Sequence, residues 1–450
     1  MTLYGPDAPA SPLLTRRWYP LAPHPEQLRL IQSPARFKVV PAGRRSGKTE
    51  RAKRHLILQA LRESAEGRWD DYRYFAAAPT RDQAKAIWWA DLKALVPRTL
   101  LAGPIRESDL TIRLVTGAEI IVVGLDRPER IEGRSWNGGI IDEIANVREG
   151  AWEANIRPAL ADRAGWAWLI GVPEGRGEYY KLYTKAISGT DPEWDGFHWV
   201  TADILPASEI ESARRQLDPL LFQQEYEASF ITFEGRAYYP FDARAHCKPL
   251  VYDPFAPLIF AFDWNVSPGV CAVMQEQKLP NDLVGTGVIG EVFIPDNSTT
   301  PAVCRKLIAD WSRHQGEIRC YGDATGGARG SARVQGSDID LVRAELRPVF
   351  GPRLSMRFPS SNPPERTRVN AVNSRLKSAA GEIRLMVDPA KAPNVVRDLE
   401  GVRLLAGGGG EIDKKIDKKL THISDGLGYY IAKEFPIIRP MIGVGHAVWG

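Results

Sequence analysis

Residues 42–49 read Ala-Gly-Arg-Arg-Ser-Gly-Lys-Thr, and what flanks them decides the fold around them. Before them lies an apolar run, Phe37-Lys38-Val39-Val40, with the composition of a buried strand. After them, from about Lys48 through Leu61, the residues Leu56, Ile57, Ala60 and Leu61 recur on one side of a helix. A small-residue loop between a strand and a helix turns backbone N–H groups toward the helix N-terminus, where the helix dipole favours an anion. The segment follows G-x-x-x-x-G-K-[ST] with Ala42 in place of the first glycine; Gly43, Ser46 and Gly47 complete the cradle. In that pattern Lys48 reaches the β- and γ-phosphates and the Thr49 hydroxyl holds Mg²⁺. The expected ligand is a nucleoside triphosphate, ATP.

Outward from the loop, short apolar strands alternate with amphipathic helices as far as residue 232, which implies a parallel sheet. A strand at 72–78 leads to Thr80 and Gln83, a capping box that opens a helix running through Leu95. Residues 110–115 and 118–124 form a hairpin about Thr116-Gly117. The apolar string Gly139-Ile140-Ile141 runs straight into Asp142-Glu143, the form of a Walker B strand. Such a strand delivers Asp142 to the carboxyl edge of the sheet to hold Mg²⁺ through water, with Glu143 orienting and deprotonating the attacking water. Arg44 and Arg45 within the loop, or Arg134 ahead of Asp142, can supply the positive charge that stabilises phosphoryl transfer. Gln27 can read the adenine edge while Tyr19 packs on the ring, and the start of a surface helix explains the same residues.

Residues 233–257, rich in Pro, Tyr and charge without sustained periodicity, read as a linker. A second α/β pattern follows at 258–435, and a Pro-containing tail at 436–450. Three aspartates punctuate the second pattern. Asp263 ends the strand 258–263, Asp323 follows the strand 317–322, and Asp425 opens the last helix, where it would also serve as an N-cap. Three such carboxylates can converge on a pair of divalent ions that clamp the attacking and leaving oxygens of a phosphodiester. All-oxygen ligands suit Mg²⁺ or Mn²⁺. Asp282, Asp296, Asp338 and Asp340 read as solvated. The basic segment Lys414-Lys415-Ile416-Asp417-Lys418-Lys419 can contact DNA phosphates, or form a solvated face, since Glu411, Asp413 and Asp417 interleave it.

Composition narrows the classes. At 450 residues the chain has length for two or three domains, and 44% hydrophobic with 25% charged residues is ordinary for a globular protein. A net charge of +4 confines any nucleic-acid surface to a local patch. Cys247, Cys271, Cys304 and Cys320 form no C-x-x-C pair and read as buried thiols of a reducing compartment. No apolar run approaches a membrane span, and the N-terminus, with Asp7 and several prolines, lacks the basic and apolar regions of a signal peptide, so a cytosolic protein is expected. Trp88 and Trp89, at helical spacing, read as core.

A P-loop ATPase followed by a three-aspartate unit resembles the large terminase subunit of tailed bacteriophages, over roughly residues 18–435. The resemblance rests on order: Gln27, the arginine-bearing loop, Arg134 before Asp142-Glu143, a coupling segment, then Asp263, Asp323 and Asp425. It implies an ASCE/RecA-like parallel-sheet ATPase domain and an RNase H-like nuclease domain. By position, Lys48 and Thr49 are the P-loop residues, and Asp142 and Glu143 the Walker B acid and catalytic glutamate. Arg44 or Arg45 is the loop arginine, Arg134 a finger acting on the neighbouring subunit, and the three aspartates the nuclease metal ligands. The family's activity implies translocation of double-stranded DNA into a procapsid and cleavage of concatemers. It further implies a ring of typically five subunits on the portal protein and a small terminase subunit that recruits DNA. The expected location is the host cytoplasm and, transiently, the portal vertex, outside the mature virion. A host helicase–nuclease or a repair or transposition ATPase is the alternative, and a single P-loop unit argues against the helicase. One departure stands out: the coupling segment Gly171-Val172-Pro173 offers no hydroxyl or amide.

Overall fold

The computed structural model describes residues 17–232, 234–264, 267–327, 337–405, 410–414 and 420–437. The chain divides into two compact units. The first runs through Ile210 and takes up Gln223–Ile231 again; the second comprises Glu211–Phe222 and the residues from Thr232 onward.

Strands that are apolar on both faces must be covered on both faces, and the first unit is built that way. Its strands are β1 (Phe37–Pro41), β2 (Arg73–Ala78), β3 (Thr111–Arg113), β4 (Glu119–Gly124), β5 (Gly138–Ile141), β6 (Trp166–Gly171) and β7 (Trp194–Gly196). They lie in the order β3-β4-β2-β5-β6-β1-β7, parallel throughout except for the antiparallel edge pair β3 and β4. Phe37 and Val39 of β1 enter one core with Phe75, Trp152 and Leu169, while Val40 enters the opposite core with Leu56, Trp88 and Trp168. Trp88 and Trp89 are buried there, as their spacing suggested. Because β6 separates β1 from β5, the loop after β1 and the acids after β5 emerge on either side of the β6 exit at Gly171. The helix expected through Leu95 is continuous over 81–95, with a π-helical middle at Lys85–Trp89 between Arg81–Ala84 and Ala90–Leu95.

The second unit has a mixed sheet of β8 (Leu258–Asp263), β9 (Gly269–Lys278), β10 (Val284–Ile294), β11 (Ile318–Tyr321), β12 (Leu354–Met356) and β13 (Leu385–Val387). Its order is β12-β11-β8-β9-β10-β13, with β8, β9 and β10 antiparallel neighbours and β8, β11 and β12 mutually parallel. Helices Thr300–Trp311 and Asp338–Phe350 cover one face, and helices Glu365–Leu376, Pro393–Gly401 and His422–Glu434 the other. The two units together form the α/β architecture expected, a parallel-sheet P-loop domain and a mixed-sheet domain.

Three readings of the sequence need correction. Residues 233–257 are not a free linker. Ala237, Tyr238 and Phe241 are buried in the second core, Asn373 donates to the Ala237 carbonyl at 2.9 Å, and His246 reaches the Leu376 carbonyl at 2.8 Å. Each aromatic is placed singly, so no periodicity announces the burial. Glu211–Phe222 likewise joins the second unit, where Asp218 accepts the Tyr239 hydroxyl. Asp338 is not solvated: it is buried and accepts the Thr300 hydroxyl at 2.5 Å. Lys415, Asp417, Lys418 and Lys419 of the basic segment, the glycines 407–409 and the tail from residue 438 lie outside the described residues.

Two candidate active sites

In the first unit the residues of 42–49 and 142–143 meet at the carboxyl edge of the sheet. The Thr49 hydroxyl donates to Asp142 Oδ2 at 2.6 Å, and Asp142 Oδ1 accepts the Glu143 N–H at 2.9 Å. Asp142 is 2% exposed, its own N–H tied to the Ala77 carbonyl of β2. Glu143 sits at φ +54°, a left-handed conformation that a non-glycine residue holds only where its surroundings insist on it. Burial pushes its carboxyl up to about 7, Asp142 adds to the rise, and Lys48 and Arg44 oppose it. A carboxylate poised near neutrality beside two cations is suited to take a proton from water.

The loop is braced from three sides. Ala42 N–H donates to Gly171 O, Gly43 N–H to Trp199 O and Arg44 N–H to Glu225 O, while Lys48 Nζ reaches the Gly43 carbonyl at 3.3 Å. Trp199 Nε1 and Gln27 Nε2 both donate to the Ser46 carbonyl, at 3.0 and 2.9 Å. Gln27 Oε1 in turn accepts from Arg51 Nε at 2.7 Å, and Gln27 is 3% exposed. Its amide thus holds the loop by both ends, a bracing position rather than one presented to a base. Tyr19 is 41% exposed, with the guanidiniums of Arg54 and Arg17 over its ring.

The two loop arginines part company. Arg44 Nε donates to the buried carboxylate of Glu225; burial opposes the Arg44 charge, and Glu225 outweighs it, so its pKa is raised. Arg45 is exposed, at φ +57°. Arg134 is exposed too, beside Arg81 and Arg130 over the carboxyl half of β4, and makes no contact with residues 42–49 or 142–143 among the described interactions. Glycine at position 171 is sterically useful, since a Cβ there would come within 3.4 Å of the Glu143 backbone. A hydroxyl that the coupling segment itself lacks is present nearby: buried Tyr179 donates to the Gly171 carbonyl at 3.4 Å. Burial, then the charges of Asp142 and Glu143, keep that phenol protonated.

In the second unit β8 and β11 are adjacent and parallel, so Asp263 and Asp323 leave the sheet at the same edge. Helix His422–Glu434 brings Asp425 to them by packing directly on β8, where a Cβ at Gly426 would stand 2.9 Å from the Ala261 carbonyl. The N-cap of that helix is Thr421, so Asp425 lies one turn inside it, buried, instead of capping it. Ser424 N–H is accepted by Asp398 at 3.2 Å, a buried carboxylate from a different helix whose pKa burial pushes up to about 6. Arg368 Nη2 donates to Asp425 Oδ1 at 3.0 Å and lies over the Tyr429 ring. His422 Nδ1 is 3.0 Å from Asp263 Oδ2, and Asp323 accepts from Asn362 at 2.6 Å and from the Tyr429 hydroxyl at 3.2 Å.

The electrostatics join the three acids. Burial, then the charges of Asp323, Asp263 and Asp425, raise the Tyr429 phenol, and Arg368 opposes the rise. Burial pushes Asp425 up to about 7, with Asp263 adding to it and Arg368 opposing it. At Asp323 the hydrogen bonds from Thr325, Asn362 and Tyr429 outweigh burial and hold the carboxyl below its ordinary range. The all-oxygen donor set suits a hard divalent cation. Yet among the described residues no three His, Cys, Asp or Glu side chains stand close enough together to bind one as placed. Each carboxylate is engaged by a protein side chain instead: Asp425 by Arg368, Asp263 by His422 and Asp323 by Asn362. Sequence reading named the acids and missed Glu225, Tyr179, Arg368, Asn362, Asp398 and Tyr429. All but Tyr429 lie away in sequence from the motifs they support, and no local pattern marks them; Tyr429 is one turn after Asp425 on the same helix, a spacing that could have found it.

Among known proteins, no family model matches the chain. It is 26% identical over 249 residues to the large terminase subunit of Thermus phage G20c, covering 48% of this chain and 50% of that protein. It is 29% identical over 221 residues to that of Escherichia phage T5, covering 48% of each. The chain thus spans about half the length of the curated relatives it matches. In fold it matches the large terminase of a thermophilic bacteriophage at a TM-score of 0.59 and 17% identity, over 92% of this chain and 99% of that one. A structure of that same terminase in complex with ATP-gamma-S matches at 0.57 and 16% identity, over 91% and 98%.

Proposed function

We infer that this chain, which resembles the large terminase subunits of bacteriophages in sequence and carries their fold, is the DNA-packaging ATPase of such a phage and an endonuclease. The observation that carries the reading is the Thr49–Asp142 hydrogen bond with Glu143 beside it, in the same chain as Asp263 and Asp323 at one edge of the second sheet and Asp425 on the helix packed against β8. In the first unit the loop amides and Lys48 hold the triphosphate, and Arg44 lies where charge develops on the transferred phosphoryl group. Glu143 takes the proton of the attacking water. Arg134, exposed and without a described contact to its own loop, acts on the nucleotide of a neighbouring subunit in a ring docked on the portal protein, with a small terminase subunit delivering DNA.

In the second unit Asp263, Asp323 and Asp425 hold divalent ions once Arg368 and His422 yield their oxygens. Mg²⁺ or Mn²⁺ would supply the Lewis acidity there, and Mg²⁺ on Thr49 and Asp142 would do the same for phosphoryl transfer. Two separate domains follow, an ATPase ending near residue 231 and a nuclease beyond it.

The experiment pairs two assays on the full chain, ATP turnover with double-stranded DNA and linearisation of supercoiled plasmid in Mn²⁺. Both activities are expected. Arg134→Ala protein mixed with Glu143→Ala protein is expected to recover turnover that neither shows alone. A chain that neither hydrolyses ATP nor cuts DNA would overturn the reading, and absence of recovery in a confirmed ring would remove the role of Arg134.

A further inference from the structure

Helix His422–Glu434 carries His422 and Asp425 in its first turn, and that turn is capped from elsewhere in the unit. Its N-cap residue, Thr421, makes no capping hydrogen bond with its side chain. Thr421 also sits at φ +83°, a left-handed conformation that a β-branched residue holds only under constraint. The N–H of Ser424, at the position a local cap ordinarily satisfies, donates instead to Asp398 Oδ2 at 3.2 Å. Asp398 belongs to helix Pro393–Gly401 and is fully buried. That helix borrows its own cap in turn. Ala392 ahead of it has no side-chain oxygen to offer, and Glu291 of β10 accepts the N–H groups of Asn394 and Val395, each at 3.0 Å. Two carboxylates in series thus tie β10 to helix Pro393–Gly401, and that helix to His422–Glu434.

What the second cap holds is the turn that bears the acid. Ser424 stands between His422, whose Nδ1 is 3.0 Å from Asp263 Oδ2, and Asp425. A first turn whose N–H groups lack partners frays, and a carboxylate at that end is also favoured by the helix dipole. A metal ligand needs its oxygens held to within about 0.5 Å, so fraying of this turn would misplace Asp425 even with the rest of the helix seated on β8 through Gly426. We propose that Asp398 is a positioning residue for Asp425: by accepting the Ser424 N–H it keeps the first turn wound, so that Asp425 faces divalent ions together with Asp263 and Asp323. Glu291 seats the helix that carries Asp398. This role rests on the nuclease reading of the three aspartates and adds to it the acid that shapes the turn on which one of them stands.

The test reads two quantities on the full chain that need no cleavage. One is Mn²⁺ affinity, from the electron paramagnetic resonance of the free ion, counting the ions that Asp425→Ala fails to bind. The other is hydrogen exchange of the Ser424 amide. In Asp398→Ala, Mn²⁺ binding is expected to weaken about 10- to 100-fold, and Ser424 to exchange at least about tenfold faster. Asp398→Asn, whose amide oxygen can still accept the Ser424 N–H, is expected to stay within about threefold of wild type in both. Leu399→Val, at a buried neighbour on the same helix, is expected to lower the melting temperature and move neither quantity. Glu291→Ala is expected to weaken Mn²⁺ binding by a smaller factor than Asp398→Ala, and it carries the test if Asp398→Ala does not fold. Wild-type Mn²⁺ affinity in Asp398→Ala, or in Glu291→Ala where that variant stands in for it, would overturn the proposal. So would a loss in Asp398→Asn or Leu399→Val equal to that in Asp398→Ala, or a Ser424 amide in Asp398→Ala that exchanges as in wild type. Wild-type protein that binds no Mn²⁺ through Asp425 would instead overturn the nuclease reading.

Discussion

In the first unit a buried carboxylate pair, Asp142 and Glu143, faces two cations of the phosphate loop, Lys48 and Arg44. In the second, Asp425 meets Arg368, Asp263 meets His422 and Asp323 accepts the Tyr429 hydroxyl. Glu143 and Asp425 are pushed by burial to the same value, about 7. The ligands they await have opposite sign, however. The loop offers backbone amides and cations for an anion, whereas the aspartates offer oxygens for cations, with protein side chains now holding those oxygens. A raised carboxyl therefore does not say what binds beside it; the neighbouring charges say that.

The largest expected effects separate the two regions outright. Lys48→Ala is expected to lower ATP turnover by at least about 100-fold while plasmid cleavage stays near wild type, and Asp425→Ala to abolish cleavage while turnover persists. Loss of both activities in either variant would break the separation. Next comes pH. Since Glu143 must be deprotonated to act as base, turnover at subsaturating ATP is expected to rise with pH through about 7, falling about tenfold per unit below it. A flat profile from pH 6 to 8 would remove Glu143 as the base.

A smaller effect sharpens the account of the second unit. Asp398 binds its proton more tightly folded, at about 6, than its ordinary value near 3.8. The folded state gains from that proton below pH 4 and loses the gain as pH rises through 6. Asp398 alone is expected to contribute a fall of about 2–3 kcal/mol across that window, so that Asp398→Asn loses less stability than wild type by about that amount, read by denaturant unfolding at each pH. The smallest effect belongs to Tyr179→Phe, which removes one long hydrogen bond to Gly171. It is expected to cost less than about 1 kcal/mol of stability, with turnover reduced only a few-fold. A loss comparable to Lys48→Ala would make Tyr179 the coupling hydroxyl that Gly171-Val172-Pro173 lacks.

The same contrast explains what could be read from the sequence. Eight consecutive residues and a strand end specify the nucleotide site, because a P-loop is a local structure whose amides, lysine and hydroxyl are fixed by chain continuity. The seven-stranded sheet was legible as alternating strands and helices for a similar reason. The aspartates were legible as strand ends, Asp263 and Asp323, and as a helix start, Asp425. What surrounds them was not: Asp398 caps their helix from across the fold, and Arg368 arrives from a helix that shows no pattern pointing to an acid. The two readings of Gln27 stayed open because nothing local reveals that Ser46 and Arg51 engage its amide. The segment 233–257 looked like a linker because isolated aromatics such as Tyr238 and Phe241 bury without periodicity.

Crystals soaked in Mn²⁺ and measured at the manganese edge test the central claim most directly. The account predicts anomalous density between Asp263, Asp323 and Asp425, with Arg368 turned away from Asp425 Oδ1. Carboxylates still held by Arg368 and His422, with no manganese among them at saturating concentration, would contradict it.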